Sequence, residues 1–445
     1  MIRRNIFEPI HCLIGKSPKL RHWKALEISQ YLSETTLREI QWQRLGEIVR
    51  FSFEQNDFYR KRFRQAGLTP EDIRSPSDLR RLPVLTKSEL RNNMSELISR
   101  GYHLEKLQQS KTGGSTGKSL ELYFTEECSE LRNACSRRHD RWTGWEPGEP
   151  VAAIWGNPHY PATVKEKLKQ WMLSPVIYLD TMSVNEKAVL SFIEEWHKVR
   201  PTLIMGHAHS IFLLSQYLRD MSIKDLRPKG ILSTSMMLIP SERRTIEEVF
   251  GLKVTDRYGC EEVSLIACEC EKHEGMHLNI EHLFIEFIKD DGMPAASGEP
   301  GILVVTDLMN RAMPLIRYQV EDVGIPTDRK CSCGRGLPLM ESITGRVADF
   351  LLKKDGTRVA GVSLIENTLT KLPGIVQMQI IQDSLELVTL NLVVDTHFNT
   401  LYEDKLVNYF EALFEHYAHI QINYVDAFNC EDNGKFRFSI CKIKQ

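Results

Sequence analysis

Apolar positions along the chain change texture three times. Up to about residue 110, Leu, Ile and Val recur at helical spacing among Arg, Glu and Gln, as in TLREIQWQRLGEIVRFSFEQN at 36–56. Pro, Asp and Ser clusters at 69–79 and 82–90 punctuate that run, so the opening third is expected to be mainly helical. From 111 a Gly/Ser/Thr loop precedes an alternating strand at 119–125 and a helix-like stretch at 126–142. Between 151 and 330, short apolar runs at 151–156, 175–180, 202–207, 230–235 and 252–259 alternate with helical stretches such as 185–200. That is the rhythm of βα units around a largely parallel sheet. Residues 281–322 read as consecutive strands with Gly and Pro turns, a meander or barrel-like patch. After 344–350 the pattern restarts as strand, turn, helix and strand. The expected architecture is α/β: a large N-terminal domain of parallel and mixed sheets over residues 1–344, then a small α+β domain over 345–445.

Charge and composition narrow the classes of partner. The 445 residues carry 57 Lys or Arg against 59 Asp or Glu, a formal net charge of −2. No global basic field gathers nucleic acid or an anionic surface, and no nucleic-acid partner is expected. The longest apolar stretches, EHLFIEFI at 281–288 and GILVVTDL at 301–308, are strand-length and fall short of the roughly 20 residues of a membrane span. Charges and a Pro interrupt the opening segment, and no small-residue cleavage site follows it, so no signal peptide is expected. Ten cysteines, six of them scattered, fit a cytoplasmic protein with reduced thiols.

Five short segments carry candidate chemistry. KTGGSTGK at 111–118 turns many backbone N–H groups and a lysine towards one point, which suits phosphate; an ordinary hairpin turn is the competing reading. It is not a Walker A motif, because Thr112 stands where that motif needs Gly and a strand-like pattern follows in place of a helix. TDRYGCEE at 255–262, the segment 306–324 in which Pro314 leads into a strand ending at Asp322, TGRVADF at 344–350 and NGKFRF at 433–438 are each weak alone.

Their order and spacing, with DFYRKRFRQAGLTPEDIRSPSDLRRLPVLTKSELRNN at 57–93, resemble the adenylate-forming (AMP-forming) ligase superfamily over nearly the whole chain. The resemblance is closest to its phenylacetate–CoA ligase and CapK (capsular polysaccharide biosynthesis protein) branch. It implies an enzyme that activates a small-molecule carboxylic acid with ATP and Mg²⁺, releases pyrophosphate, and passes the acyl group to CoA or another thiol, amine or hydroxyl. By the same resemblance Thr112, Gly113, Gly114, Ser115, Thr116, Gly117 and Lys118 form a mobile loop over the ATP phosphates. Tyr258 and Gly259 place an aromatic ring against adenine, and Glu262 holds Mg²⁺. Asp322 accepts the ribose hydroxyls, Arg346 reaches ribose or phosphate from the hinge, and Lys435 is the catalytic lysine of a mobile C-terminal lid. Two positions depart from the family pattern. Ala348 occupies the hinge position of an Asp, with Asp349 one later, and Glu261 adds a second negative charge before Glu262.

The remaining four cysteines form two Cys-x-Cys pairs, in ACECEKHEGMH at 267–277 and KCSCGRGLP at 330–338. Such pairs with a nearby His complete a tetrahedral site, and the resemblance implies a structural zinc there. Cys270, His277, Cys331 and Cys333 are the expected ligands, with Cys268 and His273 as alternates. His282 reads as a strand histidine and Cys260 as a pocket-wall residue. By position in the family, Trp155, His207, Met236 and Met237 border the acyl pocket; core or loop packing accounts for them equally well. An enzyme of polysaccharide or natural-product assembly that makes no use of CoA, and a non-catalytic binding protein on the same fold, are the competing readings. A homodimer stays open as a further assembly.

Overall fold

A computed structural model describes residues 2–111, 120–156, 158, 160–289, 291–344, 350–426 and 439–443. The helical opening is present as Lys19–Ser29, Glu34–Gln55, Asp57–Gln65 and shorter turns. Ser33 and Asn56 cap the second and third of these by accepting from backbone N–H groups, which fixes their starts where the sequence changes from polar to periodic. A hairpin of β1 (Gln108–Lys111) and β2 (Glu121–Phe124) flanks the Gly-rich segment 112–119, which lies outside the described residues.

One sheet of eleven strands dominates the molecule. Its parallel half comprises β3 (Val151–Trp155), β4 (Val176–Asp180), β5 (Leu203–His207), β6 (Gly230–Thr234) and β7 (Val254–Cys260), paired in the order β4-β3-β5-β6-β7. These are the five apolar runs, with crossover helices such as Glu186–Val199 and Ala208–Asp220 between them. The direction then reverses. The antiparallel half holds β8 (Ser264–Glu269), β9 (Met276–Leu278), β10 (Leu283–Ile288), β11 (Gly301–Asp307), β12 (Tyr318–Thr327) and β13 (Leu339–Thr344), continuing from β7 in the order β8-β9-β13-β12-β11-β10. The meander expected at 281–322 is therefore a continuation of the parallel sheet. Its strand β12 does not end at Asp322 but runs on to Thr327, because Val323 to Thr327 pair with β13 and a bulge accommodates Pro326.

The Glu126–Trp142 helix crosses the junction of the halves and is fastened by arginine pairs. Arg132 meets Asp307 of β11 at 3.0 Å, Arg138 meets Glu281 before β10 at 2.5 Å, and Arg257 of β7 reaches back to Asp140 at 2.9 Å. Arg138 is wholly buried, so its charge is tolerated only because Glu281 and Asn279 both accept from it.

Residues from 350 build a smaller α+β unit with its own core around Ile380, Leu390 and Phe410. It contains the hairpin β14 (Phe350–Leu352) and β15 (Arg358–Ala360), and the sheet β18-β17-β16-β19 of His419–Tyr424, Leu387–Val394, Ile375–Ser384 and Ser439–Cys441. It meets the large body where Asn185 donates to Thr357 at 3.0 Å and where Met182 and Met236 pack against its core.

Candidate active site and metal cluster

A cavity of about 620 Å³ opens where the sheet reverses direction, at the C-terminal ends of β6 and β7. In open α/β sheets this is where ligands bind, because the loops diverge there. Tyr258, Gly259, Cys260, Glu261 and Glu262 come from β7 and its turn, Asp322 and Val320 from β12, and Trp155, Met236 and Met237 from the parallel side. Gly259 permits the close approach of β8: a Cβ there would lie 2.6 Å from the Ser264 carbonyl oxygen.

Tyr258 and Asp322, expected to act on one nucleoside, are in contact. The Tyr258 hydroxyl donates to Asp322 Oδ2 at 2.7 Å. Glu262 is buried and doubly held: the Tyr318 hydroxyl donates to it at 2.9 Å and Lys87 Nζ lies 3.5 Å away. Lys87, itself buried, escaped the sequence reading as a site residue. It sits inside the LPVLTKSEL segment that helped carry the resemblance. Thr86 and Glu89 form a capping box that starts a helix at Lys87 and aims its side chain inward. Glu261 does not crowd Glu262; its carboxylate is exposed and accepts from Ser110 of β1 at 2.8 Å, while Arg132 donates to both backbone carbonyls at 261 and 262. Asp256, also on the wall, is driven up to about 7 by burial and by the nearby Glu269 carboxylate.

Trp155, Met236 and Met237 line the cavity as expected of an acyl wall. His207 does not. It lies behind Trp155, with ring centroids 4.1 Å apart, fully buried, and burial lowers it to about 4, so the ring is neutral. Cys260 lines the wall and its thiol is pushed up by burial and by Glu262, which suits packing better than nucleophilic attack. The loop Thr112 to Lys118, Arg346 and Lys435 lie outside the described residues, as do Ala348 and Asp349.

A second constellation lies on the antiparallel half. The structure brings Cys270, His277, Cys331 and Cys333 together, with one potential ligand atom from each within 4.8 Å of the others. Cys270 Sγ and Cys331 Sγ are 3.6 Å apart, and Cys333 Sγ is 3.3 Å from His277 Nε2. The sulfur spacing is too long for a disulfide, which needs about 2.05 Å. It is close to the ~3.8 Å that tetrahedral ligation with ~2.3 Å zinc–sulfur bonds gives. Leu337 O lies 3.1 Å from His277 Nδ1 and can accept its proton, leaving Nε2 for a metal. Backbone N–H groups of Lys272 and Arg335 donate to Cys270 and Cys333 sulfur, each at 3.4 Å. The donor set and spacing fit a closed, four-ligand zinc site. The alternates point elsewhere: His273 pairs with Glu269 at 3.2 Å, and Cys268 is buried on β8 near the charges of Arg257, Glu269 and Asp256. His282 is a buried histidine beside Glu281.

The CapK C-terminal domain family matches residues 351–442. A phenylacetate-coenzyme A ligase of Thermus thermophilus is 26% identical over 363 residues, 78% of each chain. Protein CapK of Staphylococcus aureus is 23% identical over 424 residues, 94% of this chain and 92% of that one. Among solved structures, 2-hydroxyisobutyryl-CoA ligase with 2-HIB-AMP and CoA in the thioesterification state superposes with a TM-score of 0.62 at 17% identity, covering 93% of this chain and 91% of that one. The last likeness concerns the fold; the relatives, the matched C-terminal family and the motif order concern descent. The chain is thus similar, over most of its length, to the phenylacetate–CoA ligase and CapK branch of the adenylate-forming ligases.

Proposed function

We propose that this protein converts a carboxylic acid and ATP into an acyl-adenylate and pyrophosphate, then transfers the acyl group to CoA. The observation that carries the reading is the meeting of Tyr258, Asp322 and Glu262 around one cavity at the sheet reversal. Asp322 is a two-oxygen acceptor suited to paired ribose hydroxyls, and the Tyr258 hydroxyl orients it while the ring offers a face to adenine. Glu262 would hold Mg²⁺, which neutralises phosphate charge when bound; Lys87 and the Tyr318 hydroxyl fix that carboxylate in place. The carboxylate oxygen of the acid attacks the α-phosphorus, the α–β bridging bond breaks, and pyrophosphate leaves. Lys118 in the Gly-rich loop, Arg346 and Lys435 are assigned to phosphate and ribose by resemblance. The small unit from 345 onward would carry Lys435 as a lid, pivoting at 345–349. Trp155, Met236 and Met237 would face an apolar part of the acid.

Zinc at Cys270, His277, Cys331 and Cys333 is structural in this reading, since four protein ligands leave no open position for catalysis. One observation favours a different acceptor: the C-terminal match is to the CapK family. The deciding experiment is a pyrophosphate-release screen of carboxylic acids with and without CoA. Release that needs an acid, followed by thioester formation with CoA, is the expected result. Acid-dependent release with no thioester transfers the reading to another acceptor, and absence of release with every acid overturns adenylation.

A further inference from the structure

The first helix is inside out. Residues 3–14 run as a helical turn and the Glu8–Ile14 helix, and the side that packs against the body is built on a charge: Glu8 is buried one turn before the buried Cys12, and Lys19 (3.3 Å) and Arg137 pair with Glu8. Arg4 pairs with Glu146 at 2.6 Å beneath the same segment. The side that faces out carries Ile2, Ile6, Ile10, Leu13 and Ile14, with Leu13 and Ile14 each 79% exposed. Their spacing of three and four residues places them on one stripe.

Alongside lies the Val164–Leu173 helix, which buries no residue at all. Its apolar positions Val164 (82% exposed), Leu168 and Trp171 recur at i, i+4 and i+7, again on one outward stripe. The two helices touch: Arg3 Nε donates to the Trp171 carbonyl at 2.9 Å and its guanidinium lies 5.9 Å from the Trp171 ring. Neither stripe contributes to a core of the fold. Eight large apolar side chains thus stand exposed on two helices that touch, which is more than scattered single exposure.

The surroundings are positive although the chain as a whole is not. Residues 2–24 and 160–174 contain nine Lys or Arg and two Glu; Arg4, Lys19 and Arg21 pair with Glu146, Glu8 and Glu127, so the positive excess rests on the lysines. Lys16, Lys24, Lys165, Lys167 and Lys169 all stand exposed around the stripes. After burial, the charges of Lys169 on the second helix and of Lys19 just past the first lower the pKa of His11, against smaller raising effects of Glu8 and Glu130.

We propose that this face is a peripheral docking surface for an anionic lipid bilayer. Apolar stripes flanked by lysine, with a tryptophan at one end, are the composition that lies flat in the headgroup region. Charge selects this occupant over a second copy of the chain, because an isologous pairing through the face would press a positive surface against itself. The ion pairs of Glu8 and Arg4 hold the first segment to the body, and Arg3 ties it to the second helix.

Flotation of the full chain with phosphatidylcholine vesicles, with and without phosphatidylglycerol, tests the assignment. The protein is expected to float with the anionic vesicles only, and less so as salt is raised. The triple variant Lys165→Gln, Lys167→Gln, Lys169→Gln is expected to lower partitioning on the order of a hundredfold, at about 1 kcal/mol per cation. Leu13→Ser with Leu168→Ser, both outward positions, is expected to lower it at least tenfold. Equal behaviour with both vesicle types, or variants that float as the parent does, would overturn the proposal. So would sedimentation showing a dimer that Leu13→Ser with Leu168→Ser dissociates while the parent fails to float; the face would then be a self-interface.

Discussion

The Cys/His cluster and the cleft are built on opposite plans. In the cluster, four ligand atoms lie within 4.8 Å of one another, and the outer contacts aim them: Leu337 O on His277, backbone N–H groups on two sulfurs. In the cleft, each acidic group already has a partner from the protein: Tyr258 for Asp322, Lys87 and Tyr318 for Glu262, Ser110 for Glu261. The first plan suits a resident metal, whose binding energy is folding energy. The second orients the acids through hydroxyls and gives Glu262 a cation, so ligands can exchange without the fold depending on them. A site that holds and a site that turns over differ in who satisfies the donors and acceptors between visits.

That contrast can be broken from either side. The largest effect is expected from Cys331→Ser with Cys333→Ser. Bound zinc should fall from about one equivalent towards none by elemental analysis, and thermal stability should collapse, since structural zinc is worth ~10 kcal/mol or more. Full zinc retention in that variant would remove the cluster from the argument. If Lys435 has the catalytic role that the resemblance implies, Lys435→Ala should leave stability intact but slow pyrophosphate exchange into ATP by about 10²–10³, because a cation brought by a lid counts chiefly in the transition state. An unchanged exchange rate would make this lysine a surface residue.

Lys87→Met tests whether the cleft's charge balance is internal. It leaves a buried Glu262 without its cation and should cost ~3 kcal/mol in chemical denaturation; a neutral outcome would mean that Tyr318 alone suffices. The smallest effect is a pH dependence. Asp256 sits near 7 where the unfolded chain sits near 3.8, so the fold keeps a proton that the unfolded state gives up. Stability therefore falls as pH rises from about 4 to about 7. Asp256→Asn should match the parent at pH 4 and exceed it by ~2 kcal/mol at pH 8, about half of what a shift of this size gives at 1.36 kcal/mol per unit. Equal melting temperatures at both pH values would show that Asp256 ionises freely.

Much of this was legible from local pattern. The five apolar runs became β3 to β7, and the stretch at 126–142 became one helix with Thr125 as its cap. Periodicity and capping are short-range, and a single sequence displays them. The paired cysteines were legible because metal-ligand spacing is also local; the choice between Cys268 and Cys270 was not, since it depends on which way β8 ends. Lys87 and Tyr318 reach Glu262 across 175 and 56 residues of chain, a distance at which no pattern speaks. The outward stripes were hidden for another reason. Their helical spacing is that of an ordinary core helix, and only the burial of Glu8 reveals that the helix has turned its polar side inward.

The pairing of β9 with β13 consists of two residues, Leu339 opposite His277 and Met340 opposite Met276. Tyr258 stands on β7 and Asp322 on β12, on opposite sides of that seam and four strand spacings apart. Laid flat, those spacings would separate the two backbones by roughly 19 Å, yet the side chains touch. The sheet must therefore curl between β7 and β12, and the β9–β13 ladder is the shortest of the four pairings it curls through. Cys270, His277, Cys331 and Cys333 straddle that ladder, so they act as the clasp of a bracelet whose inner circumference is the cleft. The gap available to a nucleoside is set by the tightness of the clasp as much as by the two residues that would grip it.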